Sequence, residues 1–64
     1  MNEWTPENIK RVRQKVQMTQ EDFAHAIGVT TFTINRWERG CNVPSASARE
    51  KLDKFLETWG QVES

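Results

Sequence analysis

Apolar residues recur along this chain at intervals of three and four, and no segment alternates with the period of a strand. That pattern predicts helices throughout. Ile9, Val12 and Val16 form one stripe, predicting a first helix over residues 6–16. Phe23, Ala24 and Ile27 form a second over 20–27, and Ile34 and Trp37 a third over 31–39. Ala48, Leu52, Phe55, Leu56 and Trp59 line a fourth over 45–59. The first three starts share one punctuation: an apolar residue, a threonine, then an apolar residue four further on. Trp4, Thr5 and Ile9 fit it, as do Met18, Thr19 and Phe23, and Val29, Thr30 and Ile34. The threonine oxygen can accept a bond from an orphan first-turn N–H. The flanking apolar pair makes a hydrophobic staple. Pro6 sits at the favoured first helical position, and Asp22 completes an approximate capping box. Gly28, Gly40 and Gly60 supply the helix exits. "CNVPSA" reads as a loop and "QVES" as a frayed tail.

Helix three poses the functional question. With Ile34 and Trp37 on its buried side, Thr31, Phe32, Asn35 and Arg36 fall on or near its outer side. The pattern allows two placements for Phe32: folded back onto helix two as core, or presented to a partner.

Length narrows the fold. A chain of 64 residues makes one domain with a small core. The fold class is therefore all-α, a bundle of four helices with a short fifth as the variant. One cysteine, Cys41, precludes an internal disulfide and favours a reducing compartment. No stretch is apolar for long enough to cross a membrane, and "MNEWTPEN" lacks the form of a signal peptide, so a cytoplasmic location is expected. Nine basic residues balance nine acidic ones. Lys10, Arg11, Arg13 and Lys15 cluster on helix one, and Arg36 and Arg39 lie on helix three. His25 is expected on the outer side of helix two without metal-ligand neighbours, and Cys41 lacks an activating base. No carboxylate pair, nucleophile–base set or phosphate loop is present, so no enzyme, cofactor or metal is expected.

The segment "MTQEDFAHAIGVTTFTINRWERG" resembles the helix-turn-helix of the phage-repressor and Cro family of DNA-binding domains. The likeness is carried by Arg13, Thr19, Gln20, Ala24, Gly28, Ile34, Trp37, Glu38, Gly40 and Pro44, and spans residues 9–56. It implies a lambda-repressor-like domain with the motif at helices two and three. It also implies that helix three enters the major groove, with Thr31, Phe32, Asn35 and Arg36 facing bases. Phenylalanine can touch a thymine methyl, asparagine can pair with adenine, and arginine can grip guanine with two bonds. The same resemblance makes Thr19, Gln20, Arg39, Asn42 and Ser45 phosphate candidates. It pairs Arg13 with Glu38 as a partly buried ion pair tying the recognition helix to the scaffold.

Sequence-specific binding of double-stranded DNA, as a transcriptional regulator, is therefore the expected function. The alternative is a protein-interaction module on the same fold, an antitoxin-like or adaptor domain. Zero net charge favours the alternative, because nucleic-acid binders are usually basic. A weak homodimer, strengthened on DNA, is expected through Leu56, Trp59 and Val62, unless Leu56 and Trp59 merely complete the core. Members of the family commonly add a fifth helix, and its lack here bears on that contact.

Overall fold

The computed structural model describes the backbone of residues 4–63 and the side chains of residues 4–59. Four helices follow one another: α1 (Pro6–Lys15), α2 (Gln20–Ile27), α3 (Thr31–Arg39) and α4 (Ala46–Glu63). There is no strand among the described residues.

The helix starts follow the local chemistry. Thr5, Thr19 and Thr30 have extended backbones, and their side chains accept from the N–H groups of Asn8, Asp22 and Thr33. Each cap satisfies a donor that the first turn would otherwise leave unpaired. Ser45 does the same for α4, its Oγ accepting from Ala48 N at 3.2 Å. The fourth helix therefore starts at Ala46, with Ser45 as its cap and not its first residue.

The helix ends depart from the expected pattern in two places. The first helix stops at Lys15, one residue early, with Val16 as its cap. Gln17 takes a left-handed conformation at φ 60°. Met18 N then donates to Arg13 O at 3.1 Å and Gln17 N to Gln14 O at 3.0 Å, closing the helix as a glycine exit would. No glycine marks this exit, so the stripe alone overruns it. The fourth helix is longer than expected, continuing through Gly60 to Glu63. Gly60 does not end it, and "QVE" is helical, not frayed. Glycine permits a left-handed exit but does not compel one, and within a helix it costs only about 1 kcal/mol. No fifth helix occurs among the described residues.

The core is built from one large residue per helix. Ile9, Phe23, Ile34 and Leu52, from α1 to α4 in turn, are the largest fully buried side chains. Trp4, Ala24, Ile27, Trp37, Ala48 and Phe55 surround them. Phe23 and Phe55 meet edge to face, 5.1 Å between centroids, an arrangement that aromatic quadrupoles favour. Val12, Val16, Met18, Val29, Leu56 and Trp59 pack around this cluster half-buried. Leu56 and Trp59 thus contribute to the core, Trp59 lying 5.8 Å from Phe55 between centroids. Val62, the third residue of the expected dimer patch, lies outside the described side chains. Trp4 has a second role besides its staple: Nε1 donates to Asp53 Oδ1 at 2.8 Å, pinning the residues just before α1 to α4.

α3 rests on α2 and α1, and α2 is backed by α4. The turn into α3 depends on Gly28, at φ 91°. A Cβ there would meet nothing nearer than Lys51 Nζ at 4.0 Å, so the demand is conformational, not steric.

Candidate nucleic-acid interface

Ile34 and Trp37 hold α3 against the body, and its opposite side is left to solvent. Thr31 and Phe32 are exposed, and Asn35 and Arg36 are half-buried. Phe32 is not core: it is 67% exposed. The Arg36 guanidinium carbon lies 5.3 Å from the Phe32 ring centroid, within cation–π range. Arg36 Nε donates to Asn42 Oδ1 at 2.8 Å, across the turn that follows α3. Gly40 makes that turn at φ 79°, and Cys41 N closes it on Arg36 O at 2.9 Å.

Beneath this surface runs a polar network that joins three helices. Arg13 Nε donates to Glu38 Oε2 at 2.6 Å and Nη2 to Glu38 Oε1 at 3.1 Å, a two-point ion pair. Arg13 Nη1 also donates to Met18 O at 2.9 Å. Gln20 Nε2 donates to Glu38 Oε1 at 3.2 Å. Asn35 Nδ2 reaches Gln20 Oε1 at 3.5 Å. The Arg13 and Glu38 side chains are only 14% and 5% exposed, so water does little to weaken the pair. The network fixes α3 to α1 and α2. Through Gln20 it also biases which way the Asn35 amide faces, a choice that decides the bonds asparagine can make to a base edge.

The structure gathers the expected base-facing residues on one side of α3, and it gives the expected phosphate residues varied settings. Thr19 and Ser45 are exposed helix caps whose oxygens already accept backbone bonds. Arg39 is exposed in the last turn of α3. Asn42 is exposed and keeps its amide N–H₂ for a further partner while its oxygen holds Arg36. Gln20 is engaged at both ends of its amide within the protein. His25 and Cys41 are exposed, and no metal-binding cluster occurs among the described residues.

One residue of this surface was not singled out from the sequence. Val43 is 80% exposed and lines the same groove as Phe32 and Arg36. The available signal was a β-branched apolar residue inside an otherwise polar loop, directly before Pro44.

Comparison with known proteins matches the geometry. A helix-turn-helix family model covers residues 9–58. Over 53 residues the chain is 38% identical to the type II methyltransferase M.SsoII of Shigella sonnei, covering 78% of this chain and 14% of that protein. Over 56 residues it is 36% identical to the vegetative-specific protein H7 of Dictyostelium discoideum, covering 88% of this chain and 54% of that one. The chain thus spans about half the length of one curated relative and a seventh of the other. No solved structure gives a significant match. No helix among the described residues is long and apolar enough to cross a membrane. With four helices, a glycine turn between α2 and α3 and a family match over residues 9–58, the chain belongs to the Cro/C1-type helix-turn-helix family of DNA-binding regulators.

Proposed function

We propose that this chain binds double-stranded DNA in a sequence-specific manner, setting the N-terminal half of α3 into the major groove. Thr31, Phe32, Asn35 and Arg36 read base edges. Thr19, Gln20, Arg39, Asn42 and Ser45 hold backbone phosphates on either side. The single observation that carries the reading is the pairing of an exposed Phe32 with an Arg36 held in place by Asn42, on a helix anchored from behind by fully buried Ile34. A solvated helix face has no need of an aromatic side chain or of a fixed guanidinium. Both suit a surface that meets thymine methyls and guanine edges. Two copies on half-sites about one helical turn apart would double the sequence read. From the methyltransferase relative we carry over no methyl transfer, because the shared segment is 14% of that protein.

A second reading, a protein-interaction module, is supported by the zero net charge. Phosphate neutralisation supplies most non-specific affinity for DNA, and this chain brings little of it. Selection from a random duplex pool, followed by affinities across a salt series, separates the two. DNA recognition predicts an enriched motif, with log K falling by about 0.9 per phosphate neutralised for each tenfold rise in salt. No enrichment, with no retention on duplex at low salt, would sink it in favour of the interaction module.

A further inference from the structure

Phe32 and Val43 are the exposed large hydrophobic residues among those described, and both line one groove of about 400 Å³ beside α3. Arg36 lies in the same groove, within cation–π range of Phe32 and bonded through Nε to Asn42. Isolated apolar residues on a surface need no explanation. Two at one groove, flanking a fixed guanidinium, do.

Because Nε is occupied by Asn42, the bidentate grip left to Arg36 is the end-on one through Nη1 and Nη2. That fork matches the O6 and N7 acceptors of guanine. Guanine's own major-groove edge is polar and leaves Phe32 and Val43 without a partner. The apolar group that a base edge presents in the major groove is the methyl at pyrimidine C5. Successive bases rise about 3.4 Å along a strand, a step of the same scale as the 5.3 Å between the guanidinium carbon and the Phe32 ring centre, so the apolar contact is expected at a base neighbouring the gripped guanine. We infer that Phe32, Arg36 and Val43 form a reader for a guanine adjacent to a C5-methylated pyrimidine, with Asn42 as the residue that positions the arginine. This rests on the DNA-binding reading above. The methyl has two sources, thymine and 5-methylcytosine, and the groove recognises the group they share.

The test uses the duplex enriched from a random pool. Each thymine beside a guanine is replaced by deoxyuridine, which removes the methyl and keeps the pairing. Each cytosine beside a guanine is replaced by 5-methylcytosine. Wild type, Phe32→Ala, Val43→Ala, Arg36→Ala and Asn42→Ala are compared, with circular dichroism as the folding control; the Phe32 and Val43 side chains are exposed, so their removal does not put the fold at risk. At one position, either removing the thymine methyl weakens wild-type binding or adding the cytosine methyl strengthens it. The expected change is about fourfold, the worth of burying one methyl-sized group. In Phe32→Ala that sensitivity falls below about twofold, and Val43→Ala reduces it in part. Arg36→Ala loses the preference for the neighbouring guanine, and Asn42→Ala loses part of it. Three results overturn the inference while leaving DNA binding standing. One is a selected site bound without regard to methylation. Another is methyl sensitivity that Phe32→Ala leaves unchanged, and the third is a site with no pyrimidine beside its contacted guanine. A chain that selects no duplex at all overturns the DNA reading and this inference together.

Discussion

Removing Glu38 should damage this fold more than any other change to a charged residue, and the geometry says by how much. Its carboxylate accepts two bonds from Arg13 and one from Gln20, and its side chain is 5% exposed. In Glu38→Ala the Arg13 guanidinium keeps its bond to Met18 O but loses both carboxylate bonds, in a site that is 86% shielded. Breaking a buried pair from one side costs about 3–5 kcal/mol, because a charge is left without its partner. An exposed pair would cost under about 1 kcal/mol. The partial exposure of Arg13 puts the expected loss near the lower bound, about 3 kcal/mol. A chain of this length has a total stability of only about 3–10 kcal/mol, so that loss is a large share. Arg13→Ala should cost a similar amount. The double variant should cost far less than the two losses combined, since neither orphan charge is then present. A coupling energy of about 2 kcal/mol is expected. Urea unfolding followed by circular dichroism measures it, with trimethylamine N-oxide at one fixed concentration so that every variant retains a folded baseline. With a urea slope of about 1 kcal/mol/M, each single variant shifts the midpoint by about 3 M. A coupling below about 0.5 kcal/mol would refute the reasoning, since the pair would then be behaving as two surface charges.

Gln17→Gly should stabilise the fold by about 0.5–1 kcal/mol, raising Tm by about 2–8 °C, because Gln17 holds φ 60°, where glycine bears no Cβ penalty; an unchanged or lower Tm in a thermal melt would contradict this. Ile34→Ala should cost about 2–5 kcal/mol in urea unfolding, as the side chain is fully buried, whereas Phe32→Ala two positions away should stay within about 0.5 kcal/mol of wild type. Trp4→Phe keeps most of the packing but loses the bond to Asp53 Oδ1, and should cost about 1 kcal/mol or somewhat more in the same assay. Arg36→Ala should leave the melting curve unchanged while weakening binding to the selected duplex by about 1–3 kcal/mol in a titration at one fixed salt concentration, with preference lost at a single guanine.

Much of this fold could be read from local spacing, because the interactions that set it are themselves local. A threonine cap bonds three residues ahead, and a staple packs within five. The starts of α1, α2 and α3 are therefore written in Thr5, Thr19 and Thr30 and their neighbours. The burial of Ile9, Phe23, Ile34 and Leu52 follows from stripes that only a shared core can cover. The outward side of α3 follows from the same stripe. Where local signals are missing or permissive, spacing misplaces the helix ends. Gln17 closes α1 without being glycine, and Gly60 sits within α4 although it is one.

Only the tertiary structure decided which side chains meet. Trp4 finds Asp53 across 49 positions, and Arg13 finds Glu38 across 25, a pair that the family likeness suggested and spacing did not. Gln20, which the family likeness expected both to hold a phosphate and to support the recognition helix, links Glu38 to Asn35. Phe32 had two placements until the crossing of α2 and α3 left it outside the core, beside Arg36 and across a groove from Val43. The physical reason is common to all four. Periodicity determines which face of each helix is apolar, but the angles at which the helices cross determine which polar groups come within bonding distance. Those angles are set by how the core side chains pack, and that packing is a property of the assembled fold.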